Sequence, residues 1–431
     1  HPCEHECRRN LVDEPVAIND IKRFVSDYER TSGHRVELFK APATGRQVAI
    51  IGGGALGLTA AAFLARLGHE PAVFEASGKM GGLLRTAISE NRLPREVLDY
   101  EIQGILKLGV KAECNQVFGR DFTISALLKA GFEAVLVAAG GWDSCLVQGG
   151  SPDPAQPIPG LYLLLPLLLS WRSGQKPALG KKVALVGGGR KGLEAAVKLK
   201  REGAERVLLL AARSQEEEGW TEEDLKEARE AGVEVVFQAR PMRLEGQGES
   251  LTGLAVRLAG SGSVETVYSL DTVIAASGRL PEMIITSQPG GVPPELDSDP
   301  SWQVFRPYGR QGQGQLGLFE SDRTVSDYRA VVEAIGTGRR AAASIHKYLA
   351  SGEVASPERM LTPDFQVINV DSVDNLFPCG PRELPPQAGV EELAEDPGRE
   401  LTPGLEMDQI RQEASRCLDC GLICYARTKY N

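Results

Sequence analysis

Two glycine-rich turns, about 135 residues apart, constrain this chain more than any other feature. They read Val48-Ala-Ile-Ile-Gly52-Gly-Gly54-Ala-Leu-Gly57 and Val183-Ala-Leu-Val-Gly187-Gly-Gly189-Arg-Lys-Gly192. Each follows an apolar β-branched run and opens a stretch rich in Ala and Leu, the order of strand, tight turn and helix. One such run is weak evidence, because glycine turns are common. Two in the same context predict an α/β chain with two Rossmann-like units, each offering a helix amino terminus to a dinucleotide pyrophosphate. Two dinucleotides in one protein is the arrangement by which a nicotinamide passes a hydride to a flavin.

In the first unit Gly52 permits the tight turn, Gly54 lets the backbone approach a pyrophosphate, and Gly57 lets the helix pack on its strand. Glu75 ends the next strand, Pro71–Glu75, roughly twenty residues on, where a carboxylate holds a ribose hydroxyl. In the second unit Gly187, Gly189 and Gly192 repeat the spacing, but the acidic partner is missing. The strand from Arg206 ends at Ala211-Ala-Arg213, and an arginine there either meets a 2′-phosphate, favouring NADP over NAD, or is a solvated charge. Arg190 and Lys191 are further phosphate partners. Gly140 and Gly278, closing the strands 134–140 and 271–278, complete the cofactor-binding candidates.

At 431 residues the chain has room for about two to four domains. A net charge of −10 offers no basic footprint and argues against nucleic-acid binding. No amino-terminal stretch reads as a signal peptide, and His1 is no initiator, so the chain reads as part of a longer one with ligands upstream. The most apolar segment, Leu161–Trp171, is too short to span a bilayer and is broken by Pro166, so a buried segment of a cytoplasmic protein is expected. Expected domains are a short helical amino-terminal module (1–44), a flavin domain (45–158 and 285–352), a nicotinamide domain inserted in it (159–284), and an irregular tail (353–431) that wraps the surface.

Five of the eight cysteines cluster at the two ends, as metal ligands in a reducing compartment would, and the long middle has only isolated ones. Cys417-Leu-Asp-Cys420-Gly-Leu-Ile-Cys424 is a C-x2-C-x3-C array, close enough for several thiolates to converge on an iron–sulfur cluster or on zinc. Cys3 and Cys7 lie four apart, as on one helical face. Cys114, Cys145 and Cys379 read as structural, Cys379 with a minor claim as an extra ligand. No Ser/His/Asp triad or general-base site is evident; hydride transfer to a flavin needs none, since the cofactors carry the chemistry.

The combined motifs resemble the small-subunit family of bacterial glutamate synthase and its relatives. Those residues are Cys3-Glu-His-Glu-Cys7 followed by Pro15-Val-Ala-Ile18, the first glycine turn with Glu75, Gly81-Gly82-Leu83-Leu84, Asn91-Arg92-Leu93-Pro94-Arg95, and Glu413-Ala-Ser-Arg416-Cys417-Leu-Asp-Cys420. The resemblance covers nearly the whole chain. It implies FAD on Gly52, Gly54, Gly57, Glu75, Gly82, Leu83 and Arg92, and NAD(P)H on Gly187, Gly189, Gly192 and Arg213. It places 4Fe-4S ligands at Cys3 and Cys7, whose companions lie upstream in relatives, and at the carboxyl-terminal array. Three stretches depart from the family pattern. Ala87-Ile-Ser89 replaces Gly-Ile-Pro, Glu218-Gly-Trp220 stands in the region of Met-Pro-Ala, and Asp322-Arg323 stands where Gly-Asp is expected. Either Asp322 reaches the flavin from a shifted turn or the flavin is held differently. The leading expectation is an electron-transfer flavoprotein subunit of a hetero-oligomer, passing electrons between NAD(P)H, FAD, 4Fe-4S clusters and a partner iron–sulfur or catalytic subunit. The alternatives are a scaffold subunit with degenerate nucleotide sites and a zinc-stabilised flavoprotein.

Overall fold

The computed structural model describes residues 2–140, 158–174, 178–262, 264–276, 281–287, 299–309, 317–319, 327–352, 365–366, 380–396, 398–418 and 426–427. Gly278, Asp322, Cys145, Cys379, Cys420 and Cys424 lie outside them, as does most of the 148–159 linker. The chain divides into two compact units: His1–Leu38, Ile88–Tyr100 and Pro357–Asn431 form one, Phe39–Ala87 and Glu101–Ser356 the other.

The larger unit carries both glycine turns on two sheets. Its strands run in chain order as β1 (Gln47–Ile51), β2 (Glu70–Glu75), β3 (Lys111–Cys114), β4 (Ala134–Val137), β5 (Leu161–Leu163), β6 (Lys182–Val186) and β7 (Arg206–Leu210). There follow β8 (Val233–Val236), β9 (Ala239–Gln247), β10 (Ser250–Leu258), β11 (Glu265–Ser269), β12 (Thr272–Ala275), β13 (Met283–Ser287) and β14 (Ser301–Phe305). One sheet has the order β11-β10-β9-β14-β13-β4-β1-β2-β3, the other β5-β12-β6-β7-β8. The pairs around β1 and β6 are parallel. Such strands are covered on both faces, which is why they read as unbroken apolar runs rather than as alternation. Val48, Ala49 and Ile50 in β1 and Val183, Ala184 and Leu185 in β6 are fully buried.

Residues 239–269 lie in sequence between β8 and β12, yet their strands join the first sheet, with Leu244 of β9 opposite Val304 of β14. Trp302 of β14 is wholly buried there, and its indole N–H donates to the Gly248 carbonyl at 2.8 Å. The Leu161–Trp171 segment is not uniformly buried as expected. It splits into β5 and a helix, Leu164–Arg172, that buries Leu164 and Leu167 but leaves Leu165 and Leu169 about half exposed. Pro166 sits in that helix's first turn, where its missing N–H costs nothing, so it starts the helix rather than breaking it.

The smaller unit contains the helix Ile18–Ser32, none of whose residues is buried, and the helix Met407–Ser415, which buries Ile410 and Glu413. Part of the tail therefore packs, with Leu401 N–H bonded to the Asn91 carbonyl at 2.7 Å. No helix among the described residues is long and apolar enough to cross a membrane.

Candidate functional site

The two turns are built with the same backbone bonds. Gly52 N–H donates to the Phe74 carbonyl of β2 at 2.8 Å, and Gly187 N–H to the Leu210 carbonyl of β7 at 2.9 Å. On the other side Ala138 N–H returns to Ile51 at 2.8 Å, and Ala276 N–H to Val186 at 2.9 Å. Each turn is thus tied to both neighbouring strands at their carboxyl ends, where doubly wound sheets bind ligands. Behind each, the third glycine meets the first: a Cβ on Gly57 would lie 1.9 Å from the Gly52 carbonyl oxygen, and one on Gly192 2.2 Å from that of Gly187. Both glycines are required by close packing of helix on turn.

The turns differ in their electrostatics. The carboxylate of Glu75, 5% exposed, accepts from Gly53 N–H at 2.7 Å and from Ser77 N–H at 2.8 Å. Its position is therefore set by the turn it serves. The structural equivalent in the second unit, the residue after Leu210, is Ala211, so no carboxylate reaches Gly188. Arg213 stands two residues further on, exposed, with no side-chain ion pair among the described residues. Its N–H lies 3.4 Å from Glu218, within a short acidic helix, Gln215–Glu218. Trp220 does not line this surface. It is 7% exposed and packs against Phe237 in the core of the second sheet, which explains why that stretch departs from the expected pattern. Arg190 and Lys191 lie exposed on the helix Gly189–Arg201 and pair at the surface with Glu194 and Asp224.

A double-glycine loop faces the first turn. Gly81 N–H donates to the Gly53 carbonyl at 2.8 Å, and Gly82 has a φ of 50°. A Cβ on Gly82 would come within 2.9 Å of Gly54 Cα, whereas one on Gly54 would find nothing nearer than Gly82 Cα at 4.0 Å. Leu83, 44% exposed, opens the short helix after this loop. Gly140, φ 79°, follows β4. Arg92 is exposed on a turn of the smaller unit, its N–H bonded to Ser89.

Cys3, Cys7 and Cys417 are free thiols in the smaller unit. Cys3 and Cys7 do not share one helix as expected: Pro2–His5 is a single turn, and Cys7 is extended at the start of the 3-10 turn Arg8–Leu11. Lys22 Nζ stands 3.8 Å from Cys3 Sγ. Among the described residues no three His, Cys, Asp or Glu side chains converge as a metal site. Cys114, at the end of β3 beside Glu75, has its thiol pushed above the usual range by burial and then by the charges of Glu75 and Glu113, which suits a structural role.

Residues 46–295, more than half of the chain, match the pyridine nucleotide-disulphide oxidoreductase family. The chain belongs to this family. It is similar to the beta subunit of NADP(+)-dependent formate dehydrogenase from Moorella thermoacetica, with 32% identity over 97% of this chain and 64% of that protein. It is 31% identical to the subunit PreT of NAD-dependent dihydropyrimidine dehydrogenase from Escherichia coli, over 80% of this chain and 79% of that one. It is 29% identical to the small chain of glutamate synthase [NADPH] from Escherichia coli, over 80% and 78%. The chain thus spans under two thirds of the length of the formate dehydrogenase subunit. Membership in this family implies FAD and NAD(P)H.

The residues of the first turn fit FAD. A Cβ on Gly54 would meet only Gly82 Cα, at 4.0 Å, so the backbone at Gly54 is open to a pyrophosphate, and the helix Ala55–Arg66 carries no acid in its first turn to repel one. Glu75 retains acceptor capacity for ribose hydroxyls beyond its two backbone bonds. The second turn fits a nicotinamide dinucleotide by its backbone, without a carboxylate. The cysteines are thiols of the right chemistry for iron or zinc.

Sequence reasoning missed Gly338. It lies in the long helix Asp327–Ser351, and its Cβ would come within 2.4 Å of the Leu56 carbonyl oxygen in the first turn of the helix Ala55–Arg66. Gly57 and Gly338 therefore hold that helix from two sides, just behind its phosphate-facing end. The available signal was a glycine inside an Ala-rich helix, a choice that costs about 1 kcal/mol against alanine unless packing demands it.

Proposed function

We propose that this chain is an electron-transfer flavoprotein subunit that takes electrons from NAD(P)H and delivers them through cysteine-bound 4Fe-4S clusters to a partner redox subunit. The observation that carries the reading is the pair of turns in one unit, tied to their neighbouring strands by the same backbone hydrogen bonds, one with a buried carboxylate anchor. FAD, when bound, supplies the exchange between hydride transfer and single-electron steps. Gly52, Gly54, Gly57, Gly82 and the helix they open hold its pyrophosphate, and Glu75 orients its ribose. Gly187, Gly189 and Gly192 hold the nicotinamide dinucleotide, with Arg213 exposed beside the ribose position. Leu83, Gly140, Gly278, Arg92 and Asp322 are further candidate flavin or nicotinamide contacts. Cys3, Cys7, Cys417, Cys420 and Cys424 are the proposed cluster ligands. The setting is a hetero-oligomer, as the names of the similar proteins, themselves subunits, suggest, and the proposed compartment is the cytoplasm, where thiols stay reduced.

The test is an absorption spectrum of anaerobically purified protein with flavin, iron and zinc assays. Flavin bands that bleach on adding NADH or NADPH, with iron present, support the proposal. Absence of flavin and of bleaching would sink it and favour a scaffold. Zinc without iron would remove the electron relay and leave a zinc-stabilised flavoprotein.

A further inference from the structure

The most buried charged side chains among the described residues are Glu413 and Arg416, at 0% and 1% exposure, in the smaller unit. Arg416 donates to Glu413 at 2.8 Å, to Asp13 at 3.1 Å and to the Glu14 carbonyl at 2.8 Å. Glu413 accepts from Ala17 N–H and from Glu383 N–H, each at 2.8 Å. Asp13 in turn is held by Arg9, 2% exposed, with Nε at 2.6 Å. Arg9 lies two residues beyond Cys7, and Arg416 immediately precedes Cys417. A second bridge runs parallel: Arg382 donates to Glu4, between Cys3 and Cys7, at 2.9 Å, and Glu4 also accepts from Asn19 N–H at 2.9 Å.

Neither end can place its thiols alone. Cys3 sits in a four-residue helix and Cys7 beside a four-residue 3-10 turn, while Cys417 follows the nine-residue helix Met407–Ser415. Helices this short are unstable in water without tertiary contacts. A desolvated charge stays buried only while its partners are in place. Each end therefore orders the other through the Glu413–Arg416–Asp13–Arg9 chain. We infer that Glu413 and Arg416 are positioning residues that join the Cys3/Cys7 segment and the end of the helix Met407–Ser415 that leads into Cys417 as one metal-binding module. The metal-binding part of this inference rests on the function proposed above; the joining of the ends does not.

Two measurements on the full-length, metal-free protein test it: hydrogen exchange of peptides covering residues 3–20, and thiolate-to-cobalt charge-transfer absorption on titration with Co(II) alone. Peptides from β1 and β6 report whether the larger unit stays folded. Arg416→Met is expected to speed exchange around Ala17 by about a hundredfold or more, because it strands buried carboxylates. β1 and β6 should keep their protection, and the cobalt–thiolate absorption should fall. Arg416→Lys, which keeps the charge but not the planar fork, should recover part of that absorption. Glu413→Gln, closer in shape, decides the matter if Arg416→Met unfolds the whole chain. Exchange in residues 3–20 within about twofold of wild type in the folded variants overturns the inference. Wild-type protein that shows the coupling but no cobalt–thiolate absorption overturns its metal-binding part and the cluster reading, with the joined ends still standing.

Discussion

Replacing Gly54 by Ala separates what the first turn does for the fold from what it does for a ligand. Gly54 has φ −80° and ψ −173°, a conformation open to any residue, and an added methyl would find its nearest atom at 4.0 Å. Alanine restricts the unfolded chain, a gain of about 0.4–1 kcal/mol, but it is a poorer helix N-cap than glycine by a similar amount. The apoprotein should therefore change in stability by less than about 0.5 kcal/mol. The same methyl projects into the open space beside the turn, where a pyrophosphate must touch the backbone. Forced overlap there costs about 1–3 kcal/mol, or roughly 5- to 150-fold in FAD affinity. Gly57→Ala is the contrast, since its methyl would lie 1.9 Å from the Gly52 carbonyl oxygen and 3.2 Å from Ile50 Cγ2. That variant should lose about 3 kcal/mol or more even without ligand. Urea unfolding of the apoproteins and quenching of flavin fluorescence on rebinding measure the two effects separately. Wild-type FAD affinity in Gly54→Ala would refute the placement of the pyrophosphate. An apoprotein as damaged as Gly57→Ala would refute the open space at Gly54.

Three further outcomes follow from the same geometry. Glu75→Gln keeps the shape but sets an NH2 group against Gly53 or Ser77 N–H, so the apoprotein should lose about 1–3 kcal/mol in urea and bind FAD more weakly; unchanged stability would mean that the carboxylate is not the anchor. Gly338→Ala should push the two helices apart and weaken FAD binding while NADPH binding, followed by tryptophan quenching, stays at its wild-type value; equal losses of both would place the effect elsewhere. His69 accepts or donates to Thr44 and His346, each at 2.8 Å, and burial, then the charge of His346, lowers its pKa from 6.5 to about 4. The unfolded histidine binds a proton more readily, so this contribution is fully present above about pH 6.5 and is lost as pH falls toward 4, by up to about 3 kcal/mol. Urea midpoints between pH 7 and 4.5 should fall less steeply in His69→Gln, and parallel profiles would contradict the assignment.

Much of the first unit was legible in advance. Parallel buried strands leave continuous apolar runs, and a tight turn packed against its helix leaves glycines at fixed spacing, so β1, β2, β6, β7 and the packing roles of Gly52 and Gly57 could be read locally. The membership of residues 239–269 could not, because antiparallel pairing with β14 depends on strands more than thirty residues away in the chain. Trp220 looked like a lost motif beside the nicotinamide ribose, while its packing on Phe237 makes it a core residue. The surface acids beside Arg190 and Lys191, Glu194 on their own helix and Asp224 on Glu222–Glu230, could be paired with them only from the tertiary structure.

The amino-acid sequence by itself determined the two dinucleotide turns and the family, because backbone close approach and strand burial impose residue types at short, fixed spacing. Tertiary structure alone decided three other things: that Glu75 is held by the turn it serves, that Gly338 supports the same helix from behind, and that the cysteine-bearing ends share one unit. Each of these rests on groups far apart in the chain. Arg416 and Asp13 meet across 403 positions, and no local pattern encodes where a desolvated charge will find its partner.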